Sequence, residues 1–144
     1  KVKDIIYDLL KVKNQNKIYD KTNIDLINKY IRNIEKDFIF FNEYCEKFNI
    51  NLIISLQPSI YFSQKKLSYY EQKNLDIYLS KYPTRYKFIK IFHELLCKNL
   101  HAFKNYHNLD NIFDNFDETI FLDEVHLSDK GNSIISNYFI KYLN

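Results

Sequence analysis

The chain contains a short apolar run, INLIISL, at residues 50–56, and Gln57 and Pro58 close it. A run rich in branched apolar side chains and bounded by a turn residue is typical of a strand buried on both faces of a sheet. Before it, residues 22–48 carry apolar side chains at alternating steps of three and four. That spacing marks one face of a long helix. A long helix leading into a buried strand predicts a parallel α/β layered fold.

The first predicted helix could pack in two ways. Its apolar positions are Ile24, Ile27, Ile31, Ile34, Phe38, Phe41, Cys45 and Phe48. The same spacing fits a coiled coil, but bulky phenylalanines at the seam suit packing onto a sheet at least as well. We therefore favour a helix that packs on a sheet.

Two more helices are predicted after the strand. Ser68 and Glu71 form a capping-box pattern, which begins a helix over about residues 69–81. Pro83 is well placed for the first turn of another helix, which runs through about residue 102. The inner side of that helix is predicted to carry Phe88, Phe92, Leu95, Leu96 and Phe103.

The remaining segments are shorter. Residues 5–10 are apolar and read as a helix end, which the polar residues 11–17 follow as an exposed loop. Two apolar stretches, residues 109–113 and 119–122, are each candidates for a short strand at a sheet edge. Ser128 is predicted to cap a last helix that ends at about residue 143.

Composition indicates one folded and mostly helical domain. The 144 residues are 46% hydrophobic and 17% aromatic, which excludes intrinsic disorder. Gly131 is the only glycine, and Pro58 and Pro83 are the only prolines. Because turns with positive φ favour glycine, such turns should be scarce. We predict a single domain over residues 1–144.

Charge and cysteine content narrow the choice of partners. The net charge is +3, but acidic residues are interspersed and the only arginines are Arg32 and Arg85, so we predict no nucleic-acid partner. Cys45 and Cys97 are predicted to be reduced core residues, because two cysteines define no disulfide framework.

No apolar run approaches the roughly 20 residues of a membrane span. The start at Lys1, without a leader, suggests a fragment or processed product and leaves localisation open.

Asp123 and His126 are the candidate acid-base residues. They fall between the apolar residues 120–122 and the last predicted helix, so both lie on a short loop at an element's end. A serine hydrolase needs an imidazole to take the serine proton and a carboxylate to hold that imidazole in the right tautomer. An Asp and a His three apart on one turn can supply both. The alternative is a coincidental pair, with His126 in a boundary layer and Asp123 solvated.

The context of this pair is more specific than its spacing. Residues 123–132 read DEVHLSDKGN, which resembles the last conserved block of the SGNH hydrolases, also called the GDSL family. That block reads Asp-x-x-His-Leu-Ser/Asn-x-x-Gly and is followed by a helix. The matching residues are Asp123, His126, Leu127, Ser128 and Gly131. The elements predicted over residues 22–144 also occur in the order expected of the family's C-terminal half.

The resemblance implies a three-layer α/β/α, flavodoxin-like fold, with His126 as general base and later general acid and Asp123 as its orienting carboxylate. In this family the nucleophile lies in a Gly-Asp-Ser block, and the oxyanion hole uses a later glycine and the asparagine of a Gly-x-Asn-Asp block. With Gly131 the only glycine, these blocks are not in the chain. We therefore expect the first strands, the serine and the oxyanion donors to lie upstream of it.

Two polar residues follow the predicted strand, at the edge where α/β proteins place their sites. Ser59 lacks the glycine-flanked elbow that exposes a nucleophile, so we do not predict it to replace the missing serine. Gln57 is a candidate substrate-binding residue. Its other interpretation is a polar strand terminator that hydrogen-bonds the turn.

A metal site is not predicted. His93, Cys97 and His101 are four apart on one predicted helix, so their side chains share a face. Structural zinc needs four ligands, and only His107 offers a fourth nearby in sequence. We interpret the group as a boundary face with a buried thiol.

The resemblance thus implies a serine-dependent ester hydrolase without a cofactor, of which this chain alone is inactive. Its implied substrate is a small acyl ester, such as an O-acetylated carbohydrate, or a lipid. Two alternatives remain open at this point: a non-catalytic helical binding or interaction domain, and an O-acyltransferase built on the same site. The oligomeric state is also open.

Overall fold

A computed structural model describes residues 21–142 of the chain. In order, the elements are helix α1 (Lys21–Lys47), strand β1 (Ile54–Ser55), helices α2 (Tyr69–Lys81) and α3 (Pro83–Leu100), strand β2 (Tyr106–His107) and helix α4 (Asp129–Ile140). All four helices were predicted, with starts within one or two residues. The predicted helix end and loop of residues 5–17 lie outside the described residues.

Contacts divide the described residues into two compact units. The first, the helical unit, comprises residues 21–50 and 82–103, and the second, the site unit, comprises residues 51–81 and 104–142. The single domain over residues 1–144 stays a prediction. None of the helices within residues 21–142 has the length and apolar character to cross a membrane.

In the helical unit, α1 packs against α3. Ile27, Ile31 and Leu96 are buried, as the helical spacing predicts, and Leu100, which was not predicted, is also buried. The predicted apolar face is wrong at Phe41 and Phe48, which are more than half exposed, although Cys45 between them is buried. The reason is length: α1 has 27 residues and α3 only 18, so the shorter helix cannot cover the whole of the longer one.

Helix α1 ends in a Schellman motif. Asn49 adopts a positive φ of 52°, and the amide of Ile50 donates to the carbonyl of Cys45 at 2.8 Å. The amide of Asn49 donates to the carbonyl of Glu46 at 3.2 Å, which completes the pattern. Asparagine is the residue after glycine that best tolerates this conformation, so it serves as the stop signal in a chain that has almost no glycine.

The site unit contains a short parallel sheet. Ile54 of β1 pairs with Tyr106 of β2, and Ser55 pairs with His107. The predicted strand over residues 50–56 is thus present but only two residues long. The pairing is parallel, and both the α/β class and the three-layer α/β/α fold stay predictions.

The two predicted edge strands are wrong. Residues 110–115 form turns, and residues 119–122 contribute only one isolated antiparallel bridge, from Phe121 to Leu127. The second strand is instead Tyr106–His107. Short apolar runs do not distinguish a strand from a turn that points its side chains into a core. The core of this unit is a cluster of Ile60, Phe113, Ile120 and Phe121, each at most 3% exposed.

Helix α2 begins at the predicted capping box. The Ser68 amide donates to Glu71 Oε2 at 2.7 Å, and the Glu71 amide donates to Ser68 Oγ at 3.3 Å. Ser128 caps α4 as predicted, since its Oγ accepts from the Gly131 amide. The described part of α4 ends at Ile140, before the predicted end at about residue 143.

The Glu71 carboxylate has a second role that the capping box does not require. It forms a fully buried ion pair with Lys65, with Nζ and Oε2 2.6 Å apart. Burial by itself raises the pKa of Glu71, but hydrogen bonds from Lys65 and from the amides of Phe121, Ser68 and Ile120 outweigh it and hold that pKa below its usual value. Glu71 is therefore ionised at neutral pH.

The lowered pKa of Glu71 predicts acid-sensitive stability. The pKa of a glutamate in the unfolded chain is about 4.3. A carboxylate whose pKa is lower in the folded state stabilises the fold fully above that value, and the stabilisation is lost as the pH falls through the folded-state pKa. We expect the free energy of unfolding, measured in urea by circular dichroism, to fall less steeply below about pH 5 in Lys65→Met/Glu71→Gln than in the wild type. The control is Lys66→Met/Glu118→Gln, which makes the same two substitutions at exposed positions. Equal slopes for wild type and the Glu71 variant would contradict the assignment.

Gly131 is required for close packing rather than for a positive φ. A Cβ there would lie 2.9 Å from Ile120 Cγ2 and 3.1 Å from Leu127 Cβ. Ile120 is 0% exposed and cannot move aside freely. We expect Gly131→Ala to lower the free energy of unfolding by about 1 kcal/mol, because overpacking exceeds the gain in helix propensity. Ser136→Ala on the exposed face of α4 is the matched control and should not destabilise.

Candidate active site

Asp123 and His126 lie at the tip of a tight turn in the site unit. The chain arrives through Ile120 and Phe121 and leaves through Leu127. The Leu122 amide donates to the His126 carbonyl at 2.8 Å, and the Ser128 amide donates to the Ile120 carbonyl at 2.8 Å. These two bonds close a small hairpin, which we call the Asp-His turn (residues 120–128).

Asp123 organises the turn through both of its carboxylate oxygens. Oδ1 accepts from the amides of Val125 and His126 at 3.0 and 2.8 Å, and Oδ2 lies 2.6 Å from His126 Nδ1. A short side chain that bonds amides two and three residues ahead is how aspartate stabilises turns. The same carboxylate therefore folds the backbone and orients the imidazole.

The Asp123 contact decides the tautomer of His126. Burial acts to raise the pKa of Asp123, but the hydrogen bonds from His126 and Val125 and the charge of His126 hold that pKa below its usual value. An ionised carboxylate only accepts hydrogen bonds, so Nδ1 of His126 carries the hydrogen, and in the neutral ring Nε2 carries the lone pair. A carboxylate thus orients the imidazole and leaves Nε2 as its proton acceptor.

The His126 ring is open to solvent. Its side chain is 74% exposed, while the side chain of Asp123 is 36% exposed. Because Nδ1 is engaged, Nε2 is the ring atom that can approach a reacting group. The pair is thus oriented on one side and accessible on the other.

Gln57 and Ser59 contact the same turn from the loop after β1. Gln57 Nε2 donates to the Val125 carbonyl at 2.8 Å. Ser59 Oγ and the Ile60 amide both donate to the Glu124 carbonyl, at 2.9 and 3.1 Å. This loop therefore holds the backbone of the two residues between Asp123 and His126.

The position of Ser59 argues against a nucleophilic role. Its side chain is buried, with the residue 7% exposed, and its hydroxyl is used by the Glu124 carbonyl. Gln57 is exposed, and its hydrogen bond to Val125 matches the interpretation as a strand terminator that bonds a turn. Substrate binding by Gln57 stays a prediction.

Sequence reasoning missed the residues that support the turn. Lys65 reads as an exposed lysine and Glu71 as half of a capping box, yet both side chains are fully buried. The amides of Ile120 and Phe121, which donate to Glu71, lie 49 and 50 residues away from it in sequence. A glutamate at the third position of a helix predicts a cap, and nothing local predicts its second set of partners.

The histidines outside the turn are divided between the two units. In the helical unit, His93 Nε2 lies 3.4 Å from Cys97 Sγ on α3, and His101 is exposed. In the site unit, His107 Nδ1 lies 3.0 Å from the hydroxyl of Tyr138. Neither cysteine forms a disulfide; Cys45 is buried as predicted, while Cys97 is only half-buried, against the prediction of a buried thiol.

Comparison with known proteins adds no family to these observations. No protein-family model matches the chain, and neither a curated protein nor a solved structure matches it.

Proposed function

We propose that this chain supplies the acid-base half of a serine-dependent ester hydrolase of the SGNH type. The observation that carries the proposal is the 2.6 Å contact between His126 Nδ1 and Asp123 Oδ2, on a turn whose sequence resembles that family's last block. An accidental pair three residues apart need not bond at all. Here the carboxylate also bonds two amides of the turn, so its orientation is fixed.

The chemistry follows from the tautomer. Nε2 of His126 takes the proton of a serine hydroxyl as that oxygen attacks the ester carbonyl carbon, and Asp123 stabilises the resulting imidazolium. The imidazolium then gives the proton to the leaving alcohol oxygen, which leaves an acyl-serine. In the second half, Nε2 takes a proton from water as its oxygen attacks the acyl carbon. The bond from that carbon to the serine oxygen then breaks, the acid is released, and the imidazolium returns the proton to the serine oxygen.

The nucleophile belongs, in this proposal, to a segment outside the chain. The Ser59 hydroxyl already donates to the Glu124 carbonyl, and the only glycine of the chain, Gly131, is not followed by Asp-Ser. The upstream coding sequence tests this point directly. A Gly-Asp-Ser block followed by Gly-x-Asn-Asp supports the proposal, and their absence contradicts it.

The substrate class proposed is a small acyl ester, such as an O-acetyl group on a carbohydrate. Hydrolysis and transfer to an alcohol begin with the same acyl-serine, so the product decides between them. Release of free acetate identifies a hydrolase, whereas acetylation of an added sugar identifies an O-acyltransferase.

The first functional prediction concerns His126. In the full-length protein, His126→Ala should lower kcat/KM for p-nitrophenyl acetate by about a thousandfold or more, because the serine loses its base. The exposed histidine of the helical unit provides the control, and His101→Ala should retain activity. Undiminished hydrolysis by His126→Ala would rule out the proposal.

The second functional prediction concerns Ser59. Loss of its hydroxyl removes one of two donors to the Glu124 carbonyl, so Ser59→Ala should lower the free energy of unfolding by about 1 kcal/mol. In the full-length protein kcat should fall less than about tenfold, because only a turn contact is lost. Ser80→Ala on α2 is an exposed control. Complete loss of activity in a folded Ser59→Ala protein would identify Ser59 as the nucleophile instead.

A further inference from the structure

Glu71 lies on a different element from the proposed active site but is bonded directly to its backbone. Glu71 Oε1 accepts from the amides of Ile120 and Phe121 at 2.8 and 2.9 Å. Its other oxygen, Oε2, is occupied by Lys65 Nζ and by the Ser68 amide, at 2.6 and 2.7 Å. The carboxylate is thus shared between a helix cap and the arriving arm of the Asp-His turn.

That arm sets the position of Asp123 and His126. Phe121 bridges to Leu127, and the next amide, that of Leu122, donates to the His126 carbonyl. The Ile120 carbonyl accepts from the Ser128 amide, which begins the helix after the turn. A displacement of residues 120 and 121 would therefore move both arms of the turn.

Helix α2 also contacts the next residue of the arm, Leu122. Tyr70 and Asn74 both donate to the Leu122 carbonyl, at 3.3 and 3.2 Å. Three consecutive residues, 120 to 122, are consequently held by the first turns of α2. The loop after β1 holds the carbonyls of Glu124 and Val125, beyond Asp123.

The hydrogen bonds from the Ile120 and Phe121 amides to Glu71 are stronger and less accessible to water than the bonds to the carbonyls of residues 122, 124 and 125. Hydrogen bonds from amides to an ionised carboxylate exceed neutral ones, and Glu71 is 0% exposed, so water cannot replace it. Removal of the acceptor would leave two buried amides without a partner. Lys65 keeps the carboxylate charged and in place, because its own side chain is fully buried against it.

We propose that Glu71 is a positioning residue for the ester-hydrolysing site, which holds His126 in its productive place through the amides of Ile120 and Phe121. The inference rests on the proposed function for its catalytic consequence. Sites of this kind need their reacting groups held to within about 0.5 Å, and a misplacement of about 1 Å costs on the order of a hundredfold in rate.

Two double variants isolate the acceptor oxygen. Lys65→Met/Glu71→Gln and Lys65→Met/Glu71→Met both remove the buried charges and keep similar side-chain length. They differ in whether an oxygen remains for the Ile120 and Phe121 amides. Ile112→Ala, which removes packing from the same core cluster but none of these hydrogen bonds, controls for lower stability.

Kinetics and NMR are measured on the full-length protein at a temperature where all variants are folded. We expect kcat for p-nitrophenyl acetate to be about tenfold or more lower in the methionine variant than in the glutamine variant, with little change in KM. The His126 ring signals should lie near those of the wild type in the glutamine variant and shift in the methionine variant. Ile112→Ala should change neither.

Equal kcat values and identical His126 ring signals in the two double variants would overturn the inference. If the methionine variant does not fold, Glu71→Asp replaces it, since it keeps the charge beside Lys65 but is one methylene too short to reach both amides. An unchanged kcat and ring signal there would be equally decisive. A wild type without esterase activity contradicts the proposed function, and the ring signals alone then decide whether Glu71 positions His126.

Discussion

The site unit depends on one buried carboxylate. Glu71 and Lys65 are both fully buried, and removing two charges from water costs several kcal/mol for each. This cost is offset only when every oxygen is hydrogen-bonded, and here the Glu71 oxygens accept from Lys65, from the Ser68 amide and from the amides of Ile120 and Phe121. The first turn of α2 and the arm of the Asp-His turn therefore share one charged acceptor.

The neighbouring contacts follow from this constraint. Thr119 donates to Ser68 Oγ and its carbonyl accepts from Ser128 Oγ, so the caps of α2 and α4 are joined through one residue. Gly131 lets α4 approach Ile120 more closely than any side chain would permit. The glycine of the resembling block therefore has a packing reason in this chain. The exposed imidazole of His126 stands on a backbone that is bonded on several sides.

Local patterns predicted the helices well because their signals are contained within a few residues. The Ser68 and Glu71 pattern and Ser128 before α4 satisfy free amides within one turn, and Pro83 at a first turn has no amide hydrogen to satisfy. The contact between Asp123 and His126 was predictable for the same reason, since both lie on one turn. Predictions failed where packing decides, as at Phe41 and Phe48 beyond the reach of α3, and at the apolar turns over residues 110–115.

The sequence by itself determined the four helices of the described residues, the caps of α2 and α4, the short strand after α1 and the pairing of an aspartate with a histidine three residues later. Only the tertiary structure decided what holds that pair. Gln57, Ser59 and Glu71 reach the turn from residues about fifty or more positions away. Such contacts depend on how buried polar groups find partners across the core, and no local pattern encodes them, because a buried donor is satisfied by any acceptor that the fold brings near.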